Sequence, residues 1–112
     1  MRVKKVTFRE SVIEEKVCAY AVTKGVIHYK FTSPNRRAVP DRMLINSNGF
    51  TWFIEFKATG KKATVPQERE HTKLRAQNKE VYVVDDIDQG KTIIDTICSR
   101  QEAIPEWLRV KL

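Results

Sequence analysis

Two candidate strands, V-P-D-R-M-L-I and T-W-F-I-E-F-K, joined through Ser47-Asn48-Gly49, constrain this chain more than any other feature. A short polar turn with glycine between two such runs predicts an antiparallel hairpin. Asp41 then stands at the start of one strand, with Glu55 and Lys57 two apart on the next. Side chains alternate along a strand, so Glu55 and Lys57 share a face with Thr51 and Phe53. Trp52, Ile54 and Phe56 form the opposite face, the predicted core. Two carboxylates and an ammonium arranged this way suit a divalent metal and a phosphodiester. Carboxylate oxygens hold Mg²⁺ or Mn²⁺, and the lysine steadies the attacking water or the developing charge. The plainer alternative makes Asp41 a turn residue after Pro40 and leaves Glu55 and Lys57 as a solvated face or a cross-strand ion pair. The E-F-K triplet alone favours that alternative. Pro40-Asp41 at hairpin distance brings phosphodiester hydrolysis level with it.

A chain of 112 residues holds one compact domain, here residues 1–112, and not two. No stretch approaches the ~20 apolar residues of a membrane span, and M-R-V-K-K-V-T-F lacks the apolar run of a signal peptide. Cys18 and Cys98 fall in separate candidate helices without CxxC spacing, which argues against zinc and for free thiols in a reducing compartment. The expected setting is the cytoplasm. The net charge of +7 survives the gathering of acids at a metal site, so the remaining surface is more basic still. Its candidate phosphate contacts are Lys30, Arg36-Arg37, Arg42 and Lys61-Lys62, several of them in loops flanking the acids. The expected partner is a polyanion.

Ile13, Val17, Tyr20 and Ala21 recur at helical spacing and predict a first helix from Thr7 or Ser11 to Lys24, stopped by Gly25. Val26 to Thr32 alternates as a strand, and S-P-N-R-R-A-V-P reads as a loop. The hairpin strands cover about Arg42–Asn46 and Thr51–Lys57. T-G-K-K-A-T leads into a second helix, about Val65 to Asn78, and V-Y-V-V is a buried strand. Strand, helix, strand is a crossover, so this last strand should run parallel to the one carrying Glu55. A third helix covers about Gln89 to Arg100. The apolar tail with Trp107 and Leu108 could dock on its own domain or on a partner.

Glu14 flanks the apolar stripe of the first helix, where an acid can project toward a shared site. S-V-I-E and T-F-R-E are rival capping boxes, with Ser11 or Thr7 as N-cap. T-V-P-Q is a third box, placing Gln67 at the start of the second helix. Gln67 also shares a face with His71 and the inward Leu74, so it points toward the sheet while capping. His71 reads as a packing residue, since nothing ties it to the acids. G-K-T at Gly90 to Thr92 lacks the preceding glycines of a phosphate-binding loop, so no nucleotide cofactor is expected, and no serine or cysteine nucleophile scheme has partners.

Taken together, E-S-V-I-E, Y-K-F, S-P-N-R-R-A-V-P-D-R, F-I-E-F-K-A-T-G-K-K, P-Q-E-R and V-Y-V-V-D make a chain that resembles the VRR-NUC family, the virus-type replication-repair nucleases of the PD-(D/E)xK superfamily. Ala38 departs from the glycine usual there. The resemblance implies an α/β fold with a restriction-endonuclease-like core, a mixed central sheet flanked by helices. It implies Asp41 and Glu55 as metal ligands for Mg²⁺ or Mn²⁺, Lys57 as the catalytic lysine, Glu14 as the helix-borne acid and Gln67 as the polar residue completing the site. Stand-alone members are similar to homodimers that cut branched DNA such as four-way junctions. A flap-cutting or non-specific nuclease, or a non-catalytic nucleic-acid-binding protein on the same scaffold, is the alternative.

Overall fold

The strand that carries Glu55 is the centre of the architecture. In the computed structural model, which describes residues 6–100, the chain runs α1 (Glu10–Thr23), β1 (Ile27–Lys30), β2 (Arg42–Ile45), β3 (Thr51–Phe56), α2 (Val65–Ala76), β4 (Glu80–Val84) and α3 (Ile87–Cys98). Four strands form one sheet in the order β1-β2-β3-β4. β1, β2 and β3 pair antiparallel, and β4 pairs parallel to β3 with Phe53 opposite Val81 and Glu55 opposite Val83. The crossover through α2 is what permits that parallel pairing. This is the α/β fold, with a mixed sheet flanked by helices, that the sequence implies.

The turn between β2 and β3 closes on Asn46, whose side-chain oxygen accepts from the backbone N–H groups of Asn48 and Phe50. Gly49 there has a φ of 79°, a left-handed conformation that glycine adopts without steric cost. α1 and α3 cover one sheet face, burying Ile13, Val17, Ala21, Leu44, Trp52, Ile54, Phe56, Val84, Ile94 and Ile97 as one core. α2 covers the other face. Both faces of β3 are therefore buried, and only Thr51 of its six residues escapes burial. The alternation in the sequence anticipates one core face; the second arises because α2 lies across it.

Helix α1 starts without either predicted capping box. Its N-cap is Arg9, with no side-chain cap, and Ser11 lies inside the helix. The box predicted for α2 is present, with Thr64 and Gln67 bonded reciprocally. No helix among the described residues is long and apolar enough to cross a membrane. Trp107 and Leu108 of the apolar tail lie outside the described residues.

Gly90 of the G-K-T triplet is a packing residue. A Cβ there would lie 2.5 Å from a Val17 methyl carbon and 3.2 Å from one of Val84, so glycine lets α3 approach α1 and β4. Gly90→Ala should destabilise the protein by about 1–3 kcal/mol through overpacking. Urea unfolding of Gly90→Ala, Val17→Ala and the double variant checks this: the double variant should lose less than the sum of the two.

Candidate active site

The site forms where β2 begins and β3 ends. Asp41 immediately precedes β2, and its backbone oxygen accepts from the Phe31 N–H. One of its carboxylate oxygens accepts from the Phe56 N–H at 2.7 Å, which pins the side chain beside the end of β3. Glu55 is almost fully buried, at 2% exposure. The Gln67 Nε2 donates to Glu55 Oε2 at 3.2 Å while the Gln67 Oε1 caps α2, so this residue fills both roles together. The Lys57 Nζ lies 3.9 Å from the same Glu55 oxygen.

A third acid joins from α1, and it is Glu10. One carboxylate oxygen each from Glu10, Asp41 and Glu55 lie within 4.8 Å of one another. Glu10 is the first residue of α1. It reaches the sheet end because the preceding segment is tied down: the Phe8 N–H donates to the Thr59 hydroxyl and the Thr59 N–H donates to the Phe8 oxygen. Glu14, the acid expected here, instead pairs with Arg42 at 2.7 Å. The physical reason is axial position: Glu10 and Glu14, four residues apart, share the face of the buried Val17 and Ala21, but Glu10 stands one turn nearer the N-terminal end of α1, where the cluster lies. The sequence left the start of α1 open between Thr7 and Ser11 and did not single out Glu10; the helix begins at Glu10, between the two.

The basic residues separate in the same way. Arg42 lies one residue beyond Asp41 and so faces the α1 side, bonded to Glu14 and 3.4 Å from His28. Lys30 is its register partner on β1 and shares that face. Arg36 pairs with Glu70 of α2 and thereby fastens the loop before β2. Arg37, Lys61 and Lys62 are exposed and make no ion pair among the described residues. Lys61 and Lys62 border an open groove of about 550 Å³, with His71, Arg75 and Asp85 on its other walls. The Gly60 N–H donates to Asp85, which fastens this loop beside the end of β4.

Three carboxylates so close repel one another. Burial first, and then the adjacent Asp41 carboxylate, push Glu55 up to about 8, with Lys57 opposing. Glu10 is raised by burial first and then by Asp41. Hard oxygen donors at this spacing fit a divalent cation, whose charge would offset the repulsion.

The sheet order and the carboxylate cluster beside a lysine define an α/β nuclease-like protein. No protein-family model matches the chain. It is 45% identical over 80 residues to the "Putative nuclease p44" of Acyrthosiphon pisum secondary endosymbiont phage 1, covering 71% of this chain and 86% of that protein. A solved VRR_NUC domain superposes with a TM-score of 0.70 over 77% of this chain and 94% of that domain, at 24% identity. The chain belongs to the same family as that phage nuclease, and its fold is that of a VRR_NUC domain.

A carboxyl group whose affinity for protons is higher in the folded state contributes stability below its unfolded value, near 4.5 for Glu55, and loses it as the pH rises through about 8. In EDTA the melting temperature should therefore fall between those limits. In Glu55→Gln, which cannot ionise, this fall should shrink, so that the variant melts about 5 °C or more above the parent at alkaline pH. Thermal unfolding across the pH range checks it, and an unchanged slope in the variant would count against the buried carboxylate as its source.

Proposed function

We propose that this protein is a metal-dependent endonuclease that hydrolyses DNA phosphodiesters. The observation that supports this best is the convergence of Glu10, Asp41 and Glu55 within 4.8 Å, with Lys57 at 3.9 Å from Glu55. A module that only bound nucleic acid would have no physical reason to gather acids where a phosphate must sit. In this reading the acids hold a divalent ion, Mg²⁺ or Mn²⁺. When bound, the ion supplies Lewis-acid polarisation of the phosphoryl group. The Lys57 Nζ hydrogen-bonds the attacking water or the developing oxyanion, and Gln67 keeps the Glu55 carboxylate turned into the site. Arg37, Lys61 and Lys62 hold the phosphate backbone on either side of the acids.

The substrate class is branched DNA such as a four-way junction. Little surface on so small a domain is free to read bases, and the cations assigned to the phosphate backbone, Arg37, Lys61 and Lys62, sit in the loops before β2 and before α2. A junction carries two cut positions related by approximate two-fold symmetry, so the acting species is a homodimer with one site per chain. Free Cys18 and Cys98 accord with action in the cytoplasm of a bacterial host.

A panel of linear duplex, single strand, flap and four-way junction with Mg²⁺, Mn²⁺ or Ca²⁺ tests the whole reading. Cutting should require Mg²⁺ or Mn²⁺, favour the junction and yield paired nicks, with binding alone in Ca²⁺. Asp41→Asn, Glu55→Gln and Lys57→Ala should each lower the rate at least about 100-fold while DNA binding persists. Glu10→Gln should impair cutting more than Glu14→Gln does. Full activity in EDTA, or normal cutting by Lys57→Ala, would overturn the assignment.

The separation of the basic residues yields a second outcome. Neutralising Arg37, Lys61 or Lys62 should weaken binding to all sequences alike and lower the salt slope by roughly 0.9 per lost phosphate contact. Lys30→Ala, on the far face, should leave that slope unchanged. Fluorescence anisotropy over a salt series measures both.

A further inference from the structure

Both oxygens of the Glu55 carboxylate face one helix. Gln67 and His71 stand four residues apart on α2 and so present their side chains on one side of it. Gln67 serves Glu55 Oε2 at 3.2 Å, and the His71 Nε2 lies 3.8 Å from Oε1. His71 is 1% exposed. Its Nε2 and the Glu55 Oε1 are both buried, and neither has a hydrogen-bond partner among the described residues.

Two buried polar atoms left unpaired cost about 1–3 kcal/mol each, and native interiors tolerate few of them. An apolar side chain would fill the His71 position without that cost. The gap of 3.8 Å is too long for a hydrogen bond. The last torsion of a glutamate is broad, however, so a modest turn of the carboxylate closes it.

We propose that His71 is a positioning residue for Glu55: its Nε2–H donates to Oε1 and, with Gln67, fixes the rotation of the carboxylate so that its remaining lone pairs face Asp41 and Glu10. The role rests on reading Glu55 as a metal ligand. α2 then acts as a two-pronged clamp, with Gln67 one turn before His71.

Calorimetric titration with Mn²⁺ or Ca²⁺ alone, without DNA, tests this on the wild type, His71→Leu and His71→Gln, with thermal melts confirming that each is folded. His71→Leu should bind either ion about 10–100-fold more weakly, the range seen when an outer hydrogen-bond partner of a ligand is removed. His71→Gln keeps an N–H donor and should recover most of the loss. With Mg²⁺ and DNA, His71→Leu should lower kcat and leave KM for DNA unchanged. In the wild type without metal, long-range ¹H–¹⁵N spectra should show His71 protonated at Nε2, with a signal that moves in Glu55→Gln. A wild-type chain that takes up neither ion overturns the metal reading and this role with it. Wild-type uptake with unaltered affinity in a folded His71→Leu overturns the positioning role alone. If His71→Leu does not fold, the spectrum decides, and protonation at Nδ1 overturns the role.

Discussion

A carboxylate held out of water governs this structure. Glu55 sits on the central pair of strands at 2% exposure, and a buried carboxylate without compensation is costly by several kcal/mol. Gln67 and Lys57 offset part of that cost, yet Asp41 and Glu10 add to it, and the net result is a group pushed up to about 8. A fold selected for stability alone would place an apolar residue here. The unresolved repulsion marks the site as a place where local stability yields to function.

The fold imposes this burial through its topology. β4 pairs parallel to β3, so the chain must cross over between them, and α2 is laid across the face that holds Glu55. On the other face, α1 and α3 pack closely because Gly90 admits the Val17 side chain. The N-terminal end of α1 then overhangs the end of β3, where the bonds between Phe8 and Thr59 hold it. Acids from a helix, a loop end and a strand converge although they lie far apart in the chain.

Most of the element order was readable from periodicity and turn chemistry. The apolar strand T-W-F-I-E-F-K and the Ser47-Asn48-Gly49 turn mark a hairpin, and the structure brings Asp41, Glu55 and Lys57 together as that hairpin requires. Gln67 was readable too, since its capping box and its inward face are both local properties of one helical turn. Glu10 was less so, because two competing box patterns obscured where α1 begins. The engagement of Arg36 by Glu70 and of Arg42 by Glu14 could not be read at all. Each joins residues distant in sequence, and charge counts say nothing about which cations are already paired.

The sequence by itself determined the elements, their faces and the chemistry of the candidate site, because helical and strand periods and turn preferences act over only a few residues. The tertiary structure alone decided which α1 acid reaches the cluster, which cations are paired among the described residues, and that His71 faces Glu55. Those outcomes depend on how helices settle on the sheet. A one-turn step along a helix carries a side chain about 5.4 Å along the same face, and a one-residue step along a strand moves it to the opposite face.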